Sequence, residues 1–186
     1  MTDKDNTVLP SIEIVNKTII TKNDLFENIN KTKIKLLDLE YKNQTYLGLD
    51  PGTKNLGVAS IYPNTIEEVM EANLYKIILS RDDDAVERML NVRTALSNII
   101  LWFKWRSSAV IEGASFGNHY RQVELAEQRA SIALWCYQRS MRVKIVPPKT
   151  IRKHAFGDGN MKNPWDNLKD DVAAALGCAL YGYNLM

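Results

Sequence analysis

The chain has 186 residues, of which 45% are hydrophobic and 25% charged, with a net charge of +2. That is room for one domain with a real core and too little for two large ones. No apolar run reaches about 18 residues, the opening MTDKDNTVLP is polar and unlike a signal peptide, and any nucleic-acid affinity has to come from local clustering of charge.

Residues 1–44 are rich in Lys, Asn, Thr and Asp, with apolar stretches at Ile12–Val15 and Ile34–Leu37. Thr21–Asn30 has the composition of a short helix capped by Thr21 or Asn23. An added strand, a dimer arm and a tail all fit this segment. The plainest expectation is a loosely packed polar extension ahead of a domain at 45–186.

The stretch YLGLDPGTKNLGVASIY, Tyr46 to Tyr62, comes next. Two β-type runs around a Pro-Gly, Asn-containing turn predict a hairpin. Asp50 ends the first run, whose other residues read as buried. A carboxylate there is costly unless something positive meets it, and a divalent metal suits. The plain alternative is a turn aspartate capping the bend.

Ala72–Leu79 alternates weakly and predicts a third strand. Ser80 reads as a helix N-cap, with Asp82, Asp83 and Asp84 in the first turn, where carboxylates favour the positive end of the dipole. This structural role accounts for the acidic triplet without a metal. Leu90, Ala95, Leu96, Ile99, Ile100, Trp102 and Phe103 continue a helical stripe to Trp105. Ala109–Ile111 then predicts a short buried strand, again ending in an acid, Glu112, followed by a glycine. Two strand-end carboxylates of this kind are a stronger signal than either alone, because α/β folds place their sites at the carboxyl ends of strands.

His119–Arg139 predicts a helix with an apolar face of Val123, Ala126, Ala130, Ala133, Leu134 and Tyr137. Val143–Val146 reads as a strand stopped by Pro147-Pro148. A proline-led basic helix follows over Lys149–Phe156. Lys149, Arg152 and Lys153 bunch there and, with Lys162 and Arg121, are expected to meet nucleic-acid phosphates. A glycine-rich loop leads to a last helix from about Asp166 to Tyr183, with Asp166, Asp170 and Asp171 near its start. Cys136 and Cys178 fall in apolar helical patterns and read as small core residues of a reducing compartment. His119 and His154 lie in basic contexts without a nucleophile motif.

Asp50-Pro-Gly-Thr53 followed by Asn55-Leu-Gly-Val-Ala59 resembles the first motif of the RuvC-type Holliday junction resolvases, within the ribonuclease-H-like superfamily. Glu112-Gly-Ala-Ser-Phe116 resembles their second motif. In that family the strand aspartate and glutamate hold catalytic magnesium. Actin-like sugar kinases and YqgF-type ribosomal-RNA nucleases carry similar Asp-x-Gly-Thr strings. The sugar kinases need two lobes and a longer chain, and the second motif with a long helix after it fits the resolvases better. The resemblance spans residues 45 to 184.

The resemblance implies an α/β ribonuclease-H-like mixed sheet with helices on both faces. It implies a cytoplasmic endonuclease of branched DNA and four-way junctions, working as a homodimer away from membranes. Mg²⁺ or Mn²⁺ would be held by Asp50, Glu112 and Asp171, and phosphodiesters cut by two-metal hydrolysis. Members carry two acids three apart on the last helix. Here the string is KDDVAAALGCALYG: in one register Asp171 takes the first acid's place and Ala174 the second's, and slid by three residues Asp171 takes the second and Leu168 the first, so Asp171 fills an acidic position either way and one acid is missing. Asp170 is the replacement expected from a small rotation, with Asp166 one turn earlier. The missing acid predicts impaired cleavage and leaves open a protein that binds junctions without cutting, beside a YqgF-like RNA-processing nuclease. Phe116, in a segment too short and glycine-rich to bury it, is expected to stack on bases, with packing onto the next helix as its alternative.

Overall fold

The structure, a computed structural model, describes residues 12–21, 44–64, 69–80, 83–99, 107–114, 119–165 and 168–186. In chain order the elements are β1 (Ile12–Thr21), β2 (Thr45–Pro51), β3 (Asn55–Asn64), β4 (Val69–Ile78), α1 (Ala85–Ile99), β5 (Ser107–Glu112), α2 (His119–Gln138), β6 (Arg142–Val146), α3 (Pro148–Phe156) and α4 (Asp170–Leu185). They form one mixed sheet of six strands in the order β1-β4-β3-β2-β5-β6. β1 to β4 pair antiparallel as a meander with β1 folded back on its edge, whereas β5 and β6 join β2 in parallel.

Side chains alternate across a strand, so β2, β3, β4 and β5 each feed cores on both faces. Leu47, Leu49, Val58, Ala109 and Ile111 pack with α1 and α2, through Val92, Leu96, Ile132 and Trp135. Tyr46, Ala59, Ile61 and Leu74 face the other way, onto Val172, Ala175, Leu176 and Ala179 of α4. Helix α4 lies at backbone distance from the sheet. A Cβ at Gly48 would come 1.9 Å from the Ala175 carbonyl oxygen, and one at Gly57 would come 2.1 Å from that of Asp171. Only glycine fits either position, and β2 and β3 therefore have their register against α4 set by sequence.

The hairpin at Asp50, the strand ending at Glu112 and the four helices described after Ser80 follow the sequence reading, with differences, among them that the last helix begins at Asp170 and not at about Asp166. The extension is not wholly separate from the domain: Ile12–Thr21 is an added strand, paired with β4 from Ile12↔Ile77 to Thr21↔Val69. The helix expected at Thr21–Asn30 lies outside the described residues beyond Thr21 itself, which ends β1. The N-cap of α1 is Asp84, not Ser80. Its carboxylate accepts from the Glu87 N–H (2.8 Å) while Glu87 reaches back to the Asp84 N–H (3.3 Å), a reciprocal capping box. Asp83 accepts from Asn91 (2.8 Å), so these two acids do serve the helix start. α1 is described to Ile99, and the expected Ile100–Trp105 turns lie beyond that.

The largest correction concerns α2. Its buried side is Gln128, Ile132, Trp135 and Cys136, whereas Val123, Leu134 and Tyr137 of the expected apolar face are 63%, 52% and 75% exposed. Trp135 decides the orientation, because it is the largest side chain on the helix. It is wholly buried, with its indole N–H donating to Ser97 of α1 at 3.1 Å.

Candidate active site

The pairing Leu49↔Ile111 between parallel β2 and β5 sets the next residues, Asp50 and Glu112, side by side at the carboxyl ends of two central strands. Period-two alternation turns both toward the α4 face, since Tyr46 and Val110 already lie on it. On the other side Asp50 pairs with Gly57, and Gly57 with Lys76. The bare backbone at Gly57 lets the first turn of α4 settle over it, which delivers Asp171 between Asp50 and Lys76. A helix start is also where a carboxylate is favoured by the dipole.

The electrostatics are those of anions crowded together. Burial pushes the Asp50 carboxyl well above its ordinary range, and Glu112 and then Asp171 push it further, against Arg152 and Arg129. Glu112 is also raised by burial, opposed by the same two arginines. Arg152 of α3 lies 3.9 Å from Glu112 Oε1. Arg129 of α2 donates from Nε to the Glu112 carbonyl oxygen at 2.9 Å, and burial lowers its own pKa. Lys76 Nζ lies 3.4 Å from Asp171 Oδ2, and Asp171 Oδ1 accepts from the Val172 N–H at 3.0 Å. Burial also raises both thiols, Cys136 to about 12, which fits the expected inert core cysteines.

Asp50, Glu112 and Asp171 are thus brought together. As they stand, the described residues contain no group of three or more His, Cys, Asp or Glu side chains closed around a metal position. Two of the acids are instead turned to Lys76 and Arg152. The donor set nonetheless fits a hard divalent cation: three carboxylates at one end of the sheet, one of them buried and held up by its neighbours' charge. Such an ion would be held by these three residues, with Lys76 and Arg152 as the charges it displaces or shares.

Asp170 is not brought into this group. It is exposed, accepts from Asn163 Nδ2 at 3.3 Å and is not among the charges acting on Asp50. Ala174 is buried on the turn after Asp171. Of the basic residues, Arg152 enters the site, while Lys149, Lys153 and Lys162 are exposed around α3 and the loop after it. Arg121 lies on α2 near its start. Phe116 and Asp166 lie outside the described residues. His154 packs edge-on against Tyr181, ring centroids 5.5 Å apart, and so belongs to the α3–α4 contact.

Sequence reasoning missed Lys76 and Arg129. Lys76 had a signal: counted by twos from Ala72 and Leu74, it falls on the inward face of β4, where an apolar residue is expected. Arg129 has none, because the more apolar stripe of α2 is its outer one. With Ile132 and Trp135 inward, it becomes a cation on the buried edge.

Fold and site together define a ribonuclease-H-like α/β domain with its acids gathered at two central strand ends and the start of the helix that crosses them. The sequence matches the family described as crossover junction endodeoxyribonuclease RuvC over residues 46–165, and the chain belongs to that family. Among solved structures, Thermus thermophilus RuvC is similar with a TM-score of 0.61 at 13% identity, covering 75% of this chain and 93% of that one. The T. thermophilus RuvC in complex with Holliday junction substrate gives 0.57 at 16% identity, over 75% and 93%. The yeast mitochondrial Holliday junction resolvase gives 0.51 at 10% identity, over 84% of each chain. At these identities the structural likeness is one of fold. No curated protein matches the chain.

Proposed function

We propose that the chain is a divalent-metal-dependent endonuclease that resolves four-way and other branched DNA junctions by hydrolysing phosphodiesters. The observation that carries this is the meeting of Asp50 and Glu112 on adjacent strand ends with Asp171 above them, in a chain of the resolvase family. Asp50, Glu112 and Asp171 would hold Mg²⁺ or Mn²⁺. The bound metal would activate a water and stabilise the leaving oxygen. Arg152 and Arg129 hold Glu112 from two sides and leave positive charge at the rim, where a phosphate arrives. Lys149, Lys153, Lys162 and Arg121 extend that charge toward the DNA backbone, and Phe116 stacks on a base. Two-metal hydrolysis as the resemblance implies it calls for a fourth carboxylate, and Ala174 removes it.

The working unit is a homodimer inside the cell, because a four-way junction needs two symmetric cuts. The outer side of α2 supports this. Val123, Ala126, Ala130, Leu134 and Tyr137 recur at helical spacing and all are exposed. Among the described residues no helix is long and apolar enough to cross a membrane.

A gel assay with four-way DNA junction, linear duplex and structured RNA, each with and without Mg²⁺ or Mn²⁺, tests the reading. Metal-dependent cutting of the junction is expected. Preferential cutting of RNA would support a YqgF-like activity instead. Tight junction binding with no cutting in either metal would identify a binding protein that has lost cleavage through Ala174.

A further inference from the structure

Helix α4 presents Asp171 and, one turn on, the methyl of Ala174. The described acid set is therefore three carboxylates, and against the third stands a lysine. Lys76 Nζ is 3.4 Å from Asp171 Oδ2, with the lysine side chain only 15% exposed. Three observations separate this contact from an ordinary surface ion pair. Lys76 occupies the inward face of β4 in line with Ala72 and Leu74, a position where burying a cation is costly unless an anion meets it. The pairings Asp50↔Gly57 and Gly57↔Lys76 set it in one row with Asp50 across three strands, about 10 Å apart at ordinary strand spacing. Gly57 raises no side chain between them. Finally, Asp171 has both oxygens occupied, by Lys76 and by the Val172 N–H.

We propose that Lys76 is a resident cation of the active site. Its ammonium provides, at the Asp171 end, the positive charge that a second divalent ion would otherwise provide, so that the chain loads a single divalent ion toward Asp50 and Glu112. This rests on the metal-dependent reading of the site. Two features act in the same direction. Lys76 repels a second cation from Asp171, and Ala174 withholds the carboxylate that such a cation would need. The ammonium has three donors and gives one to Asp171. A phosphodiester oxygen of the substrate arriving over Gly57 would meet the remaining donors of a fixed positive charge.

The test is Mn²⁺ binding by the full chain, counted by calorimetry and by the electron paramagnetic resonance of free Mn²⁺. The wild type should bind one Mn²⁺. Lys76→Met should tighten that site about tenfold by removing a repelling charge. Lys76→Met combined with Ala174→Asp should bind two. Lys76→Arg should keep the single ion, and Lys76→Gln replaces the methionine variant if that one does not fold. A merely structural lysine would lower the melting temperature on replacement, and Ala174→Asp alone would then already bind two Mn²⁺ with Lys76 in place. Two Mn²⁺ in the wild type, or unchanged affinity in a folded Lys76→Met, would overturn the proposal. Asp50→Asn separates the two levels. If it binds Mn²⁺ like the wild type, the metal centre itself is misplaced and the inference falls with it. If it loses the ion while Lys76→Met changes nothing, the metal centre stands and only the role of Lys76 fails.

Discussion

The two faces of the sheet are covered in opposite ways. On one, α4 is buried from Val172 to Gly182 and presses its backbone onto Gly48 and Gly57. On the other, α2 is held off by large side chains, Ile132 and Trp135, and leaves its outer stripe exposed. Close approach fixes the position of Asp171 to within the slack of a backbone contact, which is what a centre of converging carboxylates requires. Side-chain spacing gives α2 no such precision, but leaves it a surface for a second chain. The site thus sits on the face where glycine and alanine replace bulk, and the proposed dimer surface on the face built from bulk.

The sharpest way to break this contrast is to put bulk on the α4 face. Gly57→Val drives a side chain into the Asp171 carbonyl, and urea unfolding should show a loss of about 3 kcal/mol or more. Retained stability would mean that α4 is not seated as described. On the opposite face, Leu134→Glu should leave the melting temperature nearly unchanged, because Leu134 is 52% exposed. It should weaken self-association at least about tenfold in sedimentation equilibrium. A dimer indifferent to that charge would remove α2 from the interface.

How much of this contrast was legible depends on the range of the signal. Asp50 and Glu112 stood out because each is an acid at the end of an apolar run followed by glycine, a purely local pattern. The pairing of β1 with β4 joins segments about fifty residues apart, and nothing local in Ile12–Thr21 names its partner. The α2 face was misread because Val123, Leu134 and Tyr137 make a good helical stripe. The true core uses Gln128 and Arg129 on its inner edge, so hydrophobic periodicity picked the stripe that is left exposed among the described residues. Asp170 and Asp171 are adjacent and chemically alike, and the 100° between neighbours on a helix decides between them. That angle was set by Gly57, on a different strand.

A smaller effect separates the faces by pH. With its pKa raised, Asp50 binds its proton in the fold at pH values where the unfolded chain has already released it. Its contribution to stability is complete below the ordinary aspartate value and is lost as pH rises through the raised one. Glu112 acts in the same direction. In a chelator, the wild type should therefore melt at lower temperature at pH 7 than at pH 5 relative to Asp50→Asn, and the variant should be the more stable at pH 7. Equal pH dependence of the two would show that Asp50 is not buried among like charges. Smaller still, Lys149 and Lys153 are exposed positions of α3, and Lys149→Ala and Lys153→Ala should leave folding alone. Each should lower the salt slope of junction binding by about one; an unchanged slope would make them solvated charges only.

The central claim is that Asp50, Glu112 and Asp171 form a metal centre although Lys76 and Arg152 now face two of them. Anomalous scattering from crystals soaked in Mn²⁺ tests it most directly. The account predicts a peak within about 2.5 Å of carboxylate oxygens of Asp50 and Glu112, on the α4 face of the sheet. A protein that takes up manganese elsewhere, with these carboxylates still turned to their lysine and arginine, would contradict it.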